Sequence, residues 1–250
     1  MDFTAPITVW NGSTYQAYSI ADDEFVLRPM QSFFVQKPDA VDNIVFHKEG
    51  RQLTTSIAHG ASARMLAPAH SNRHVFDLQL VGGEQLDQTR VVINDEAQMG
   101  YELERDAAKF MSFDTSVPQL FTLDGEGNNY AINERPLSNG QVTLAYYAGQ
   151  EGFYTIKQVR ADGEVYLYDS EQGKTINLTE EDYTFYAEAT AGINNTRFVL
   201  TFKVNGGEVT GVEQRLDTVE NGLVYDLQGR KTTATQKGVY VKDGRKVVNK

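Results

Sequence analysis

Phe198-Val199-Leu200-Thr201-Phe202-Lys203-Val204 alternates apolar and mixed positions without a break. Phe198, Leu200, Phe202 and Val204 fall on one face; Val199, Thr201 and Lys203 fall on the other. A period of two is what a half-buried strand requires, because successive side chains leave opposite faces of the backbone. Gln141 to Tyr147 repeats the pattern, with Val142, Leu144 and Tyr146 sharing a face. Working outward, similar runs read as strands over Ile7–Trp10, Glu24–Val35, Ile44–His47, His74–Val81, Thr89–Ile93, Pro118–Leu123, Gly152–Val159, Val165–Tyr168 and Tyr183–Glu188. Turn dipeptides separate them: Asn11-Gly12, Gly82-Gly83, Asp124-Gly125, Asn139-Gly140, Asp162-Gly163, Gly206-Gly207 and Asp243-Gly244. Short strands at this spacing predict an all-β chain, an antiparallel β-sandwich followed by a small C-terminal β-module. The 13 Tyr and 13 Phe fit, since aromatic rings suit a pleated, half-buried surface. Helix signal is confined to Asp95–Phe113, where about one turn is expected and no packed helix.

The chain has 250 residues, enough to bury a sizeable core without a metal or disulfide staple. It has no cysteine, which excludes a disulfide framework, a thiolate metal site and a cysteine nucleophile. A net charge of −11 argues against a nucleic-acid partner, because that binding rests on Lys and Arg neutralising phosphates. The charge is uneven: residues 229–250 hold seven Lys or Arg and one Asp, leaving a strongly acidic body and a basic tail. This contrast favours docking of the tail on an acidic surface in a salt-dependent way. The longest apolar runs are a few residues, so no transmembrane segment is expected. Met1-Asp2-Phe3 opens without a basic region or apolar leader, which reads as a leaderless chain or the C-terminal piece of a longer one. The composition divides the chain into an N-terminal β segment (1–60), either the end of a preceding domain or part of the sandwich, a central sandwich (61–205) and a C-terminal module (206–250).

No catalytic residue and no cofactor is predicted. There is no G-x-S-x-G elbow, and Asp124-Gly125-Glu126-Gly127 lacks the Gly-Lys-Ser/Thr that completes a phosphate loop. His70 and His74 lie four apart but flank a loop and read as loop histidines. Asn94-Asp95-Glu96 with Glu102, Glu104 and Asp106 gathers oxygens in one irregular stretch. Asp95, Glu96 and Asp106 are the candidate ligands for a divalent cation, and turn or capping roles are the alternative for the same side chains. Asp22-Asp23-Glu24 and Glu180-Glu181-Asp182 lack the alternation of a calcium loop and read as solvated turns. Rings stack on pyranose faces, so Trp10 and Tyr15, beside the Asn11-Gly12 turn, are candidate ligand-binding residues; cross-strand aromatic pairing is the competing reading. A carbohydrate-binding or adhesive module is accordingly one functional alternative, with a glycan as partner.

The C-terminal stretch carries a resemblance. Val224-Tyr225-Asp226-Leu227-Gln228-Gly229-Arg230, then Lys237-Gly238-Val239-Tyr240-Val241, then Gly244-Arg245-Lys246-Val247-Val248-Asn249-Lys250 stand in order at the end of the sequence. Physically they read as short strands over Val224–Leu227, Gly238–Lys242 and Arg245–Asn249. In block order and spacing they resemble the C-terminal sorting domain of proteins exported by the type IX secretion system of Bacteroidetes. The matching positions are Tyr225, Asp226, Leu227, Gly229, Arg230, Gly238, Tyr240, Gly244, Lys246, Val247, Val248 and Lys250. More loosely, Arg90 through Arg135 is similar to the β-rich region that often precedes such tails. The resemblance implies a non-catalytic C-terminal part of a secreted or cell-surface bacterial protein. Its tail would meet the secretion machinery or an outer-membrane or cell-surface component and serve export and surface attachment. It covers under a fifth of the chain and carries over no catalytic residue.

Overall fold

The computed structural model describes residues 5–19, 21–23, 25–36, 43–46, 48, 73–137, 140–188 and 192–204, and the backbone of 224–225, 231–232, 238–242 and 245–249. All described regular structure is β. In the N-terminal part these are β1 (Ile7–Trp10), β2 (Tyr15–Tyr18) and β3 (Phe33–Val35). The central part holds β4 (Arg73–Gly82), β5 (Gln85–Asn94), β6 (Ala107–Ala108), β7 (Gln119–Leu123), β8 (Asn129–Arg135) and β9 (Gln141–Tyr147). It continues with β10 (Gly152–Ala161), β11 (Glu164–Asp169), β12 (Lys174–Asn177), β13 (Tyr183–Ala187) and β14 (Asn194–Lys203). The tail holds β15 (Val224–Tyr225), β16 (Lys231–Thr232), β17 (Gly238–Lys242) and β18 (Arg245–Asn249).

The central strands form one 11-stranded sheet in the order β12-β11-β14-β9-β7-β8-β5-β4-β10-β13, with β6 on β8. The main path of 10 strands curls through 332°, nearly a barrel. Its inner side is the core: Phe76, Leu78, Leu80, Val91, Ile93, Leu120, Val142, Leu144, Ile156, Val165, Leu167, Phe198, Leu200 and Phe202 are buried in one cluster. The alternation in β9 and β14 therefore decides which residues face inward. Tyr146 is buried and its neighbour Tyr147 half-buried, as adjacent residues on a strand must divide between faces.

The structure departs from the sequence reading in definite ways. The two faces of a sandwich are replaced by one continuous hydrogen-bonded sheet that nearly closes on itself. It is not wholly antiparallel: β5 and β8 run parallel, Arg90 aligned with Ile132 and Ile93 with Arg135. β8 escapes the alternation test because six of its seven residues, Tyr130 to Arg135, are buried. β2, β6 and β12 also go unread, being short. Residues 43–46 form no strand. In 95–113 two turns form, with Ala97 N–H donating to Asn94 O at 3.0 Å and Asp106 N–H to Glu102 O at 2.8 Å, and no helix. The boundaries near 60 and 205, His47, His59 and His70 lie outside the described residues.

β5 and β8 are buried on both sides because the three-stranded sheet β2-β1-β3 covers them. Ala17 packs with Ala107, Ala131 and Ile132, small residues that let the two sheets approach. Ion pairs fasten the cover. Arg73 reaches Asp22 at 2.7 Å and Glu134 at 2.6 Å; Arg90 reaches Asp23 at 2.7 Å and Asp77 at 2.6 Å. The expectation of a solvated Asp22-Asp23 turn is thus corrected, since an arginine from the large sheet waits opposite each carboxylate. Glu180, Glu181 and Asp182 do lie exposed.

Candidate functional site

Asn11 shapes the β1–β2 hairpin by accepting from Ser13 N at 3.0 Å and Thr14 N at 2.9 Å. That turn places Trp10 opposite Tyr15 in register, and their rings meet edge to face at 5.0 Å. Three further rings complete the cluster. Phe34 comes from β3; Phe110 and Phe113 come from the segment after β6. Tyr15 stands at the centre, 5.8 Å from each of Phe34, Phe110 and Phe113. The structure therefore unites the two readings of Trp10 and Tyr15: they pair across strands and they belong to a surface.

The surface is apolar and open. Phe113 is 83% exposed, Phe34 51%, Phe110 40% and Trp10 39%. Soluble domains rarely gather so many large exposed rings in one place without a binding role. The base beneath them is rigid. Ser112 Oγ donates to Ser13 O at 2.8 Å, Ser13 Oγ to Gln85 at 2.6 Å, and Thr14 Oγ1 to Asp87 at 2.9 Å. Sequence reasoning missed Phe34, Phe110 and Phe113. Their rings converge only through tertiary contact, although Phe110 and Phe113 sit in a stretch too irregular to be core.

A second feature lies where the sheet path ends. Phe153, Gln172, Lys174, Tyr186 and Arg197 line a shallow groove of about 370 Å³. Phe153 and Tyr186 meet edge to face at 5.3 Å across β10 and β13. No sequence motif marks this groove, because its walls come from opposite ends of the strand order.

The candidate cation ligands do not converge. Asp95 and Glu96 are exposed, and Asn94 Oδ1 accepts from Glu96 N at 3.0 Å, an Asx turn. Asp106 is buried, its two oxygens accepting from Glu102 N and Glu134 N at 2.7 Å each. Burial, against those two bonds, lifts its carboxyl to about 7, and the neighbouring Glu102 and Glu134 add to the rise. Among the described residues no three His, Asp or Glu side chains are grouped to hold a metal.

In the tail, where the sequence reads as three short strands, four form a sheet in the order β16-β15-β17-β18. Tyr225 aligns with Val241, Tyr240 with Val247, Val239 with Val248 and Val241 with Lys246, and Gly238 begins β17. Asp226, Leu227, Gly229, Arg230, Gly244 and Lys250 lie outside the described residues.

A model of the family described as Domain of unknown function (DUF8693) matches residues 5–202, which spans both the covering sheet and the large sheet. No curated protein and no solved structure matches the chain.

Proposed function

The chain belongs to the family Domain of unknown function (DUF8693), and from that premise we propose that it is a non-catalytic part of a secreted or cell-surface bacterial protein whose residues 206–250 serve export and surface attachment. The observation that carries this reading is the tail itself. The ordered blocks Val224–Arg230, Lys237–Val241 and Gly244–Lys250 resemble a type IX sorting domain; β15 and β18 fall within them, and β17 runs one residue past its block to Lys242. The partner in this reading is the secretion machinery or an outer-membrane component. A non-catalytic body is supported by the way its buried and half-buried carboxylates are occupied. Asp22, Asp23, Asp77, Glu134 and Asp169 meet arginines, Asp87 meets a lysine, and Asp106 meets backbone N–H groups. The test is to delete residues 206–250 from the full-length protein in its own host and label surface-exposed protein. Loss of surface label is expected; unchanged display overturns the reading.

A second reading concerns what the body does once displayed. The platform of Trp10, Tyr15, Phe34, Phe110 and Phe113 favours a carbohydrate-binding or adhesive module, since the C–H face of a pyranose ring stacks on an exposed aromatic ring. A glycan array probed with the intact chain and with Trp10→Ala tests it. Binding that disappears in the variant supports the reading, and an array without binding removes it.

A further inference from the structure

Among the buried and half-buried carboxylates that meet a cationic side chain, one faces an amine. Asp22, Asp23, Asp77, Glu134 and Asp169 each face a guanidinium, a group that stays protonated and is no nucleophile. Asp87 faces the amine of Lys109, and both side chains are 0% exposed. Two other Lys–carboxylate pairs, Lys157–Asp182 and Lys203–Glu164, are open to solvent on both sides.

The site is built into the apolar interior. In the β4–β5 ladder Asp87 aligns with Leu80 and Thr89 with Leu78, two positions along from the core pair Val91–Phe76. Asp87 therefore points to the core face of β5. Its carboxyl group is gripped by two donors besides the lysine: Thr14 Oγ1 to Oδ1 at 2.9 Å and Leu120 N to Oδ2 at 2.7 Å. The lysine is anchored through its backbone, Lys109 N donating to Asn129 O at 2.9 Å. Amine and carboxyl are held together by β5, β7, β8 and the β1–β2 hairpin, with no freedom to separate.

We propose that Lys109 Nζ and Asp87 Cγ are joined by an isopeptide bond, a cross-link that the folded chain forms in its own interior. Burial disfavours the charged amine, and as Nζ attacks, the first of its protons passes to the carboxyl oxygen that is to leave, which frees the lone pair. Burial indeed pushes the Lys109 amine down from its ordinary value, although Asp87 opposes the shift. The Leu120 N–H and Thr14 O–H polarise the carboxyl carbon for attack, as donors aimed at a developing oxyanion do. The Nζ–Cγ bond forms and a Cγ–O bond breaks. The second amine proton passes to the departing hydroxyl, with the Thr14 hydroxyl in place as relay, and one water leaves. No atom changes oxidation state and no co-reactant is needed. Holding the two groups in contact replaces a bimolecular encounter whose intramolecular equivalent reaches effective molarities of about 10⁵–10⁸ M. The bond would give a cysteine-free chain a covalent staple. It would also fasten the segment bearing Phe110 and Phe113 to β5, fixing the floor of the aromatic platform.

Intact-mass spectrometry of the purified full chain under denaturing conditions tests the proposal. The expected mass is one water below that of the sequence. Trypsin should then release His74–Arg90 joined to Asp106–Lys157, uncut after Lys109, the Arg135–Pro136 bond being resistant to trypsin. Lys109→Arg should restore the full sequence mass. A wild-type mass equal to the sequence, with Asp106–Lys109 and Phe110–Lys157 recovered separately, overturns the proposal. So does a lost water that the digest places elsewhere, such as cyclisation at Asp162-Gly163. The wild-type digest decides the matter even if the variant does not fold.

Discussion

The carboxylate of Asp169 accepts from the Arg197 guanidinium at 2.8 Å and from the Tyr183 hydroxyl at 2.7 Å. Asp169 lies on β11 and Arg197 on β14, beside the β12 end of the strand path; Tyr183 lies on β13, the other end. Arg197 also donates to Tyr186 O at 3.2 Å and sits 4.8 Å over the Phe185 ring. Among the described residues no ladder joins β12 to β13, so this network spans the gap that backbone hydrogen bonds leave open. Breaking one side strands a buried charge. Asp169→Ala is expected to cost about 3–5 kcal/mol in urea unfolding. Arg197→Met with Asp169→Leu is expected to cost less than the sum of the single changes, since the double variant leaves no orphaned ion.

Stability should fall with pH through Asp106. Its carboxyl is raised from 3.8 to about 7 in the folded chain, so folding takes up a proton between those values. The contribution is complete below the unfolded value and is lost as pH climbs through about 7. Urea midpoints at pH 5 and pH 8 should differ less in Asp106→Asn than in the wild type. Equal differences would show that Asp106 does not titrate there.

The covering sheet should open before the rest. Asp22→Asn with Asp23→Asn removes the carboxylates that meet Arg73 and Arg90. Amide hydrogen exchange is expected to quicken over β1, β2 and β3 while β9, β11 and β14 keep their protection, because local unfolding follows cooperative units. Uniform acceleration across the chain would contradict this.

Aromatic residues should divide sharply by place. Phe198 is fully buried, and Phe198→Ala is expected to cost about 3–5 kcal/mol. Phe113 is largely exposed, and Phe113→Ser should change stability by about 0.5 kcal/mol or less. A large loss from Phe113→Ser would mean that the platform is a packing element.

Gly163 should tolerate no side chain. Its φ is +156°, and an added Cβ would lie 2.3 Å from the Lys203 carbonyl oxygen on β14. Gly163→Ala is expected to lower stability by about 1–3 kcal/mol. Gly83→Ala meets no neighbouring atom and should cost less.

Legibility followed the number of faces buried. β10, β11 and β13 show inward positions alternating with more open ones; in β9 and β14 the period of two in Val142–Tyr146 and Phe198–Val204 is clearer in the residues than in the burial, since Ala145 and Thr201 are buried too. β8 offered none, because Asn133, Glu134 and Arg135 are as buried as Ala131 and Ile132. A polar residue paired inside the protein looks, in sequence, like one in water. The same blindness made Asp22 and Asp23 read as solvent-facing. Trp10 and Tyr15 were legible as neighbours because a two-strand turn is local; Phe34, Phe110 and Phe113 were not, because nothing local aims them at Tyr15.

The sequence by itself determined the all-β class, most turn positions and the inward face of each alternating strand, since these depend on residues within a few positions of one another. Only the tertiary structure decided that the strands form one nearly closed sheet, that β5 lies parallel to β8 under a covering sheet, and that Lys109 meets Asp87 away from water. Those outcomes rest on which distant strand lies beside which. That is settled by the burial and charge pairing of the whole fold.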